Sequence, residues 1–386
     1  MTRITLLALG CFTLSLLAGC QSTQSKQVST EPYLLDSSFT NYHEVNIESR
    51  EQIFALNDDA RRFVARKLGH VKEPRAKMKK LMRLIFDRAD MHLFYESDAN
   101  TTASETFNNR IANCLSMSIL TYALAKEAGL SAAFQEVDIP EYWTRRNGFS
   151  FINGHINVKL TPPESIEQYY FDSIGVIVDF YPLVRQQRFP QSRTSVDRVV
   201  SMFYNNKGAE ALISNDYKKA YAYFRAAIMS DKEFQSPWIN LAGLYRMTQH
   251  YDWAEKTYQE AIKIDRNNLT AWENLAVLYV RTGHHEKAAD IKASLERKRE
   301  RNPYYHYIVG EELRDRGKYR AAISAYKQAT RLDPNKHQFY FGLAKAYYQL
   351  GDKSTSRRFM KKAMRRAEYQ DEREKYQGKL DVLAGL

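Results

Sequence analysis

The sequence predicts an α+β domain, with helices packed on an antiparallel sheet, followed by an all-α solenoid of paired helices. Three observations carry this. From Ser201 onward, small and aromatic residues recur every 34 positions, the length of one helix–turn–helix unit. Between residues 48 and 200 the apolar spacing changes from helical to alternating, as it does where helices give way to half-buried strands. The chain has 386 residues, 44% apolar and 26% charged, which suits two globular domains and excludes a disordered chain.

Residues 1–19 read as an export signal. Arg3 supplies a short positive region, and Ile4 to Leu17 is an apolar run too short and wrongly flanked for a span. Leu17-Ala18-Gly19-Cys20 resembles a bacterial lipobox. The resemblance implies cleavage before Cys20 and diacylglycerol on its sulfur, an anchor that needs no spanning helix. Gln21, rather than Asp, implies by likeness to enteric-type lipoproteins an outer-membrane protein facing the periplasm. Residues 20–47 are then the lipidated Cys20 and a tether, flexible over 21–31, where Ser, Thr and Gln dominate. Of the three cysteines, Cys11 leaves with the signal and Cys20 is acylated, so Cys114 is the one free thiol of the mature chain. A lone thiol in an oxidising compartment is an oxidation liability, which points to a chemical role.

Residues 48–69 and 74–92 predict two amphipathic helices. The second follows Glu73-Pro74 and carries Met78, Leu81, Met82, Ile85 and Phe86 on one side, with a solvated basic face of Lys77, Lys79, Lys80 and Arg83. Ser104 or Thr102 caps a short helical turn. A third helix runs from Cys114 to Gly129, with Leu115, Ile119, Tyr122, Leu124 and Ala125 at helical spacing and Asn113 as N-cap. A thiol in its first turn faces unpaired N–H groups and the positive end of the dipole, both of which favour thiolate. Strands are predicted at Ala132–Val137 and Gly154–Leu160, separated by a break at Pro140 to Trp143. Two more follow the Thr161-Pro162-Pro163-Glu164 turn, at Tyr169–Asp172 and Val176–Phe180.

Thiol acyl transfer needs a base close to the sulfur, and a carboxylate on the other ring nitrogen to fix the tautomer. His155, heading a strand, is the base, and Asp172 or Asp179 is the carboxylate. A hairpin centred on Pro162-Pro163 sets Asp172 opposite His155. The backbone N–H of Cys114 would meet the oxyanion, with Asn108, Asn109 or Asn113 as side-chain candidates. Glu105 and Glu136 are candidates for a supporting role, and Trp143 for a wall of the cleft.

Three segments together resemble the transglutaminase-like superfamily, and within it the bacterial branch joined to tetratricopeptide repeats. They are Thr102-Ala103-Ser104-Glu105-Thr106-Phe107 with Asn113-Cys114-Leu115-Ser116, then Gln135-Glu136-Val137 with Trp143, then His155-Ile156-Asn157-Val158. The resemblance covers residues 48–200. It implies a Cys-His-Asp arrangement shared with papain-like enzymes, and it favours Asp179, because the family's apolar strand ends in Val-Asp-Phe. Ile111-Ala112-Asn113-Cys114 stands where Arg-Gly-Asn-Cys is more typical.

In the C-terminal half, Tyr204, Trp238, Trp272, His306 and Tyr340 share one position of the 34-residue period. Gly208, Ala242, Ala276, Gly310 and Ala344 share another, and Ala220, Ala254, Ala288 and Ala322 a third. This is the tetratricopeptide pattern: five units over residues 201–370, with 371–386 as a capping helix. Each unit buries its apolar face only on its neighbours, so the units stack into a solenoid whose concave face suits an extended peptide or a helix. Unit three is the weakest, with Lys292 and Leu295 where an aromatic and an alanine are usual. Tyr245, Tyr279 and Tyr347 occupy a core-packing position.

Net charge is +12, which favours anionic surroundings, and no nucleic-acid motif accompanies it. No cofactor motif is present, and His284-His285 lacks a third metal ligand. The expected activity is hydrolysis of a peptide or amide bond in the envelope by Cys114, His155 and Asp179 or Asp172. The repeats would recruit a protein partner. An inactive envelope scaffold and amine-dependent cross-linking are the alternatives.

Overall fold

The computed structural model describes residues 31–87, 91, 93–137, 144–146, 149–151, 155–163, 175–180, 190–367 and 370–384. The first domain starts with α1 (Arg50–Phe54) and α2 (Asp58–Leu68). The single helix expected over 48–69 is broken because Asn57 turns its side chain onto the Ala60 N–H at 2.9 Å and starts a new helix. The next helix, α3 (Pro74–Phe86), is shorter than the expected 74–92, and Glu73 caps it by accepting from the Arg75 and Ala76 N–H groups.

Next come β1 (Phe94–Tyr95), α4 (Ala103–Asn109), β2 (Ile111–Ala112) and α5 (Cys114–Glu127). Strands β3 (Ser131–Val137), β4 (Thr144–Arg146), β5 (Phe149–Phe151), β6 (His155–Thr161), β7 (Val176–Val178) and β8 (Gln191–Arg193) follow. The main sheet runs β7-β6-β3-β8, antiparallel throughout, with Val137 opposite His155 and Val158 opposite Val178. The strand expected at Tyr169–Asp172 lies outside the described residues. Helix α5 is the hub. It is apolar nearly all round and touches β3, β6 and α1 to α4, as a buried central helix must. Phe134, Ile156, Val158, Leu160 and Val178 close the core beneath it.

The solenoid is ten helices in five pairs. They are α6 (Val196–Ile213) with α7 (Tyr217–Ser230), α8 (Gln235–Met247) with α9 (Tyr251–Ile264), and α10 (Leu269–Arg281) with α11 (His285–Arg301). The last two pairs are α12 (Pro303–Asp315) with α13 (Tyr319–Leu332) and α14 (His337–Gln349) with α15 (Lys353–Arg366). A sixteenth helix, α16 (Gln370–Ala384), packs on α15. First helices touch the first helix of the next unit at α6–α8, α8–α10 and α12–α14, while second helices pack mainly on first helices. First helices therefore line the inner curve and second helices the outer side. Tyr326 is fully buried between two units, where a Cβ on either Gly310 or Gly342 would lie 2.6 Å from its ring.

The turn inside each pair repeats too. Asn215, Gln249, Gly283, Gly317 and Gly351 all have φ between 59° and 82°. A side chain in this left-handed region is strained and glycine is not. Gln249→Gly is expected to stabilise the chain by about 0.5–1 kcal/mol, read as a raised urea midpoint. An unchanged or lowered midpoint would show that the strain is relieved elsewhere.

Two features depart from expectation. Residues 31–47, expected as tether, are ordered and strap the outer side of units one and two. Tyr33 donates to Glu260 at 2.5 Å, and Tyr245 Oη bridges the Tyr33 carbonyl (2.8 Å) and the Leu35 N–H (3.1 Å). Asp36 accepts from Tyr221 at 2.6 Å and pairs with Arg225, and Phe39 stacks on Tyr221 at 4.4 Å. Burial would raise the Asp36 pKa, but the bonds from Tyr221 and Arg225 outweigh it and hold the carboxyl below its ordinary value. Second, the solenoid core is split. One apolar cluster ends at Ala288, another begins at Ala322, and between them α11 buries only Ala288 and Leu295 and α12 only Gly310. The weakness expected of unit three thus lies in its second helix.

The first unit is fused to the α+β domain. Val199, Val200 and Phe203 of α6 join that domain's core, and Asn100 donates to the Phe203 carbonyl at 2.9 Å. No helix among the described residues is long and apolar enough to cross a membrane.

Candidate functional site

Cys114 opens α5, as the sequence predicts, and Asn113 caps it by accepting from the Ser116 N–H at 2.9 Å. The expectation of an activated thiolate is corrected. Burial pushes the thiol up to about 11, and the Asp179 charge pushes in the same direction. The Cys114 N–H at the helix start and a hydrogen bond with Tyr95 oppose this without cancelling it. The helix terminus acts with the sign expected, but desolvation is the larger effect. Below the unfolded thiol value near 8.5, Cys114's share of stability is complete, and it is lost as pH climbs through about 11.

Tyr95 is a residue that the sequence reading missed. It reaches the thiol because β1 pairs in parallel with β2, Tyr95 opposite Ala112, two residues before Cys114. Phe94, Tyr95 and Ile111 are all exposed on this short ladder, an apolar rim beside the sulfur.

His155 is buried at the head of β6, beside the end of β3. Its Nε2 lies 2.8 Å from Asp179 Oδ1, and Asn157 Nδ2 donates to Asp179 Oδ2 at 3.1 Å. Both carboxylate oxygens are therefore engaged. The register explains why: Val158 faces Val178, so the next residue along β7's direction, Asp179, falls opposite Asn157. Asp172, the alternative carboxylate, and Trp143 lie outside the described residues. The Asp179 charge acts on Cys114, so the carboxylate that holds His155 lies within electrostatic range of the sulfur.

The remaining candidates lie in local contacts or on the surface. Glu105 closes a capping box with Thr102, accepting from the Thr102 N–H at 2.9 Å. Asn108 accepts from Asn57 at 2.8 Å, and Asn109 is exposed at the end of α4. Glu136 accepts from Thr194 at 2.6 Å, which ties β3 to the segment after β8. An open depression of about 460 Å³, lined by Lys79, Met82, Arg83, Phe86 and Asp87, includes none of Cys114, His155 and Asp179. Its Phe86 packs on Phe180, the neighbour of Asp179. Among the described residues no group of three His, Cys, Asp or Glu side chains is arranged to hold a metal ion.

In the repeats, Tyr245 and Tyr279 are buried, and Tyr347 stacks on Phe359. His284 bonds Thr282 at 2.9 Å in an exposed turn.

Models described as TPR repeat or tetratricopeptide repeat match residues 236–268, 257–289, 310–351 and 337–369. The C-terminal half is built of tetratricopeptide repeats. No curated protein matches the chain. Solved structures similar to it include YrrB, described as a TPR protein with an unusual peptide-binding site. It is 16% identical over 45% of this chain and 89% of that one, with a TM-score of 0.24. A MamA protein is 17% identical over 43% and 91%, TM-score 0.24. MamA from Desulfovibrio magneticus RS-1 is 16% identical over 44% and 97%, TM-score 0.25.

Proposed function

We propose that the chain is an outer-membrane lipoprotein facing the periplasm, in which the repeats bind a protein or peptide partner and the α+β domain is a transglutaminase-like thiol hydrolase. The partner reading rests on the tetratricopeptide repeats, whose inner curve is lined by first helices, α6, α8 and α10 in contact in one stretch and α12 with α14 in another. The catalytic reading rests on one observation: a His155–Asp179 bond of 2.8 Å whose carboxylate charge acts on Cys114 at a helix N-terminus. With Nε2 held by the carboxylate, Nδ1 is the atom that takes the thiol proton. Because the resting thiol is neutral, that proton moves as the sulfur attacks the carbonyl carbon. Sγ–C then forms, the carbonyl π bond opens to an oxyanion that meets the Cys114 N–H, and the protonated imidazole returns the proton to the leaving amine. Water then releases the acyl group by the same path. The exposed Phe94, Tyr95 and Ile111 favour an apolar side chain next to the scissile bond.

The test is an acyl-coumarin peptide series with aromatic or aliphatic residues before the bond. Turnover that disappears in Cys114→Ala and survives in a variant at an exposed distant site supports hydrolysis. Stimulation of turnover by a primary amine would redirect the reading to cross-linking. The second reading, an inactive scaffold, is favoured by the neutral thiol itself. It prevails if Cys114→Ala behaves as the parent chain in cells while loss of residues 201–386 does not.

A further inference from the structure

We propose that the outer face of the last two repeat units, formed by α13 and α15, is an electrostatic docking surface for a bilayer rich in anionic phospholipid headgroups. The inference goes beyond the lipid anchor and stands without it. Helix α15 exposes Lys353, Arg357, Arg358, Lys361, Lys362 and Arg365 and contains no Asp or Glu. Four of these, at 358, 361, 362 and 365, follow helical spacing and form one stripe. Helix α13, the second helix of the preceding unit, exposes Arg320, Lys327 and Arg331 and also contains no Asp or Glu.

The acids near this face are matched by neighbouring bases or held in other contacts. Helix α16, which packs on α15, carries Glu372, Glu374 and Asp381 against Arg373, Lys375 and Lys379, and Glu372 faces His337. Asp333 and Asp352, in the flanking turns, accept from the backbone N–H groups of Asn335 and Thr355, each at 2.9 Å. The carboxylate cluster of the same units, Glu311 with Arg314 and Lys345, joins first helices and so belongs to the inner side. By contrast, α9 on the same outer side mixes both signs, with Asp252, Glu255 and Glu260 among its lysines. Helix α7 also lacks acids, but its Lys218 and Arg225 pair with Glu44 and Asp36 of the strap. Helix α11 mixes Glu286, Asp290, Glu296 and Glu300 among its bases, so two acid-free second helices in succession occur only in the last two units.

Shape selects the occupant. The outer side of a solenoid is convex, and a peptide that needs a groove finds one on the inner curve. A headgroup surface is an extended sheet of phosphates that a convex cationic face meets without a pocket. Aromatic rings support the long stems: Arg358 lies over Phe359 at 5.3 Å and Lys362 over Tyr340 at 5.9 Å.

The test uses the unlipidated chain from Gln21 onward, so that its outcome is independent of the lipoprotein reading. The chain is sedimented with vesicles of phosphatidylcholine mixed with phosphatidylglycerol, and with phosphatidylcholine alone. Binding is expected to the mixed vesicles only, and to weaken steeply with salt. The triple variant R358E/K361E/K362E is expected to bind about tenfold more weakly or worse, with an unchanged thermal melt. The matched variant R75E/K79E/R83E, on the exposed side of α3, is expected to bind as the parent does. Absent vesicle binding overturns the proposal. So does equal weakening by the two triple variants, which would reduce the effect to net charge. Preferential binding of soluble polyglutamate over vesicles also overturns it, in favour of an acidic protein partner.

Discussion

Trp238→Ala is expected to cost about 3–5 kcal/mol and to release the N-terminal strap. The indole is fully buried at the centre of the second apolar cluster, and its N–H donates to the Lys232 carbonyl at 2.9 Å. Tyr33 meets it edge-on, with ring centroids 5.4 Å apart at 88°. Truncation opens a cavity between α8 and α9 and removes the surface that seats Tyr33, so the Tyr33–Glu260 bond loses its support. Hydrogen exchange should show lost protection in residues 33–42 and in α8 and α9. Protection in α13 to α15 should persist, because their apolar cluster is separate. Uniform loss across all five units would refute the divided core, and a cost below about 1 kcal/mol would show that the site collapses around the missing ring.

Asp179→Asn is expected to move two readouts in opposite directions. The Asp179 charge helps hold the Cys114 thiol up at about 11, so its removal lowers that value, and burial, the larger cause, keeps it above the ordinary 8.5. Alkylation by iodoacetamide between these limits should therefore quicken. Under the proposed hydrolysis, peptide turnover falls by about 10³–10⁴, because the imidazole loses the carboxylate that fixes its tautomer and stabilises its protonated form. If the resting pair were thiolate and imidazolium, the same substitution would slow alkylation, since the cation beside the sulfur would be weakened. The direction of the alkylation change thus decides which protonation state rests in the site.

The repeat half was legible because every unit states the same packing problem. Aromatic Trp238 and small Ala242 sit one helical turn apart, and the next unit asks for the same pair. Helix α5 was legible from Asn113, its apolar spacing and Gly129, which adopts φ 73° at the helix end. The break at Asn57 was also written in the chain, as an Asn followed by Asp58 and Asp59, but the apolar pattern runs through it and masks it. Asn147-Gly148, a strong hairpin signal, stands in the sequence between the paired strands β4 and β5. The strap carries no period at all, because Tyr33, Leu35, Phe39 and Tyr42 answer pockets more than 170 residues away. The thiol shows a different limit. A sequence reveals what precedes and follows Cys114, but the desolvation that governs its ionisation comes from side chains brought there by the fold.

The strap sets an order of events during biogenesis. Tyr33 is made early and its acceptor Glu260 follows 227 residues later. At ordinary ribosome speed, about 5–20 residues per second, the tyrosine waits about 11–45 seconds for its partner to be synthesised. Throughout that interval the aromatic residues near the amino terminus stand uncovered, and their sequestration waits for the second unit. A holding chaperone that favours exposed aromatics therefore has a natural window, and the window closes when the second unit is complete.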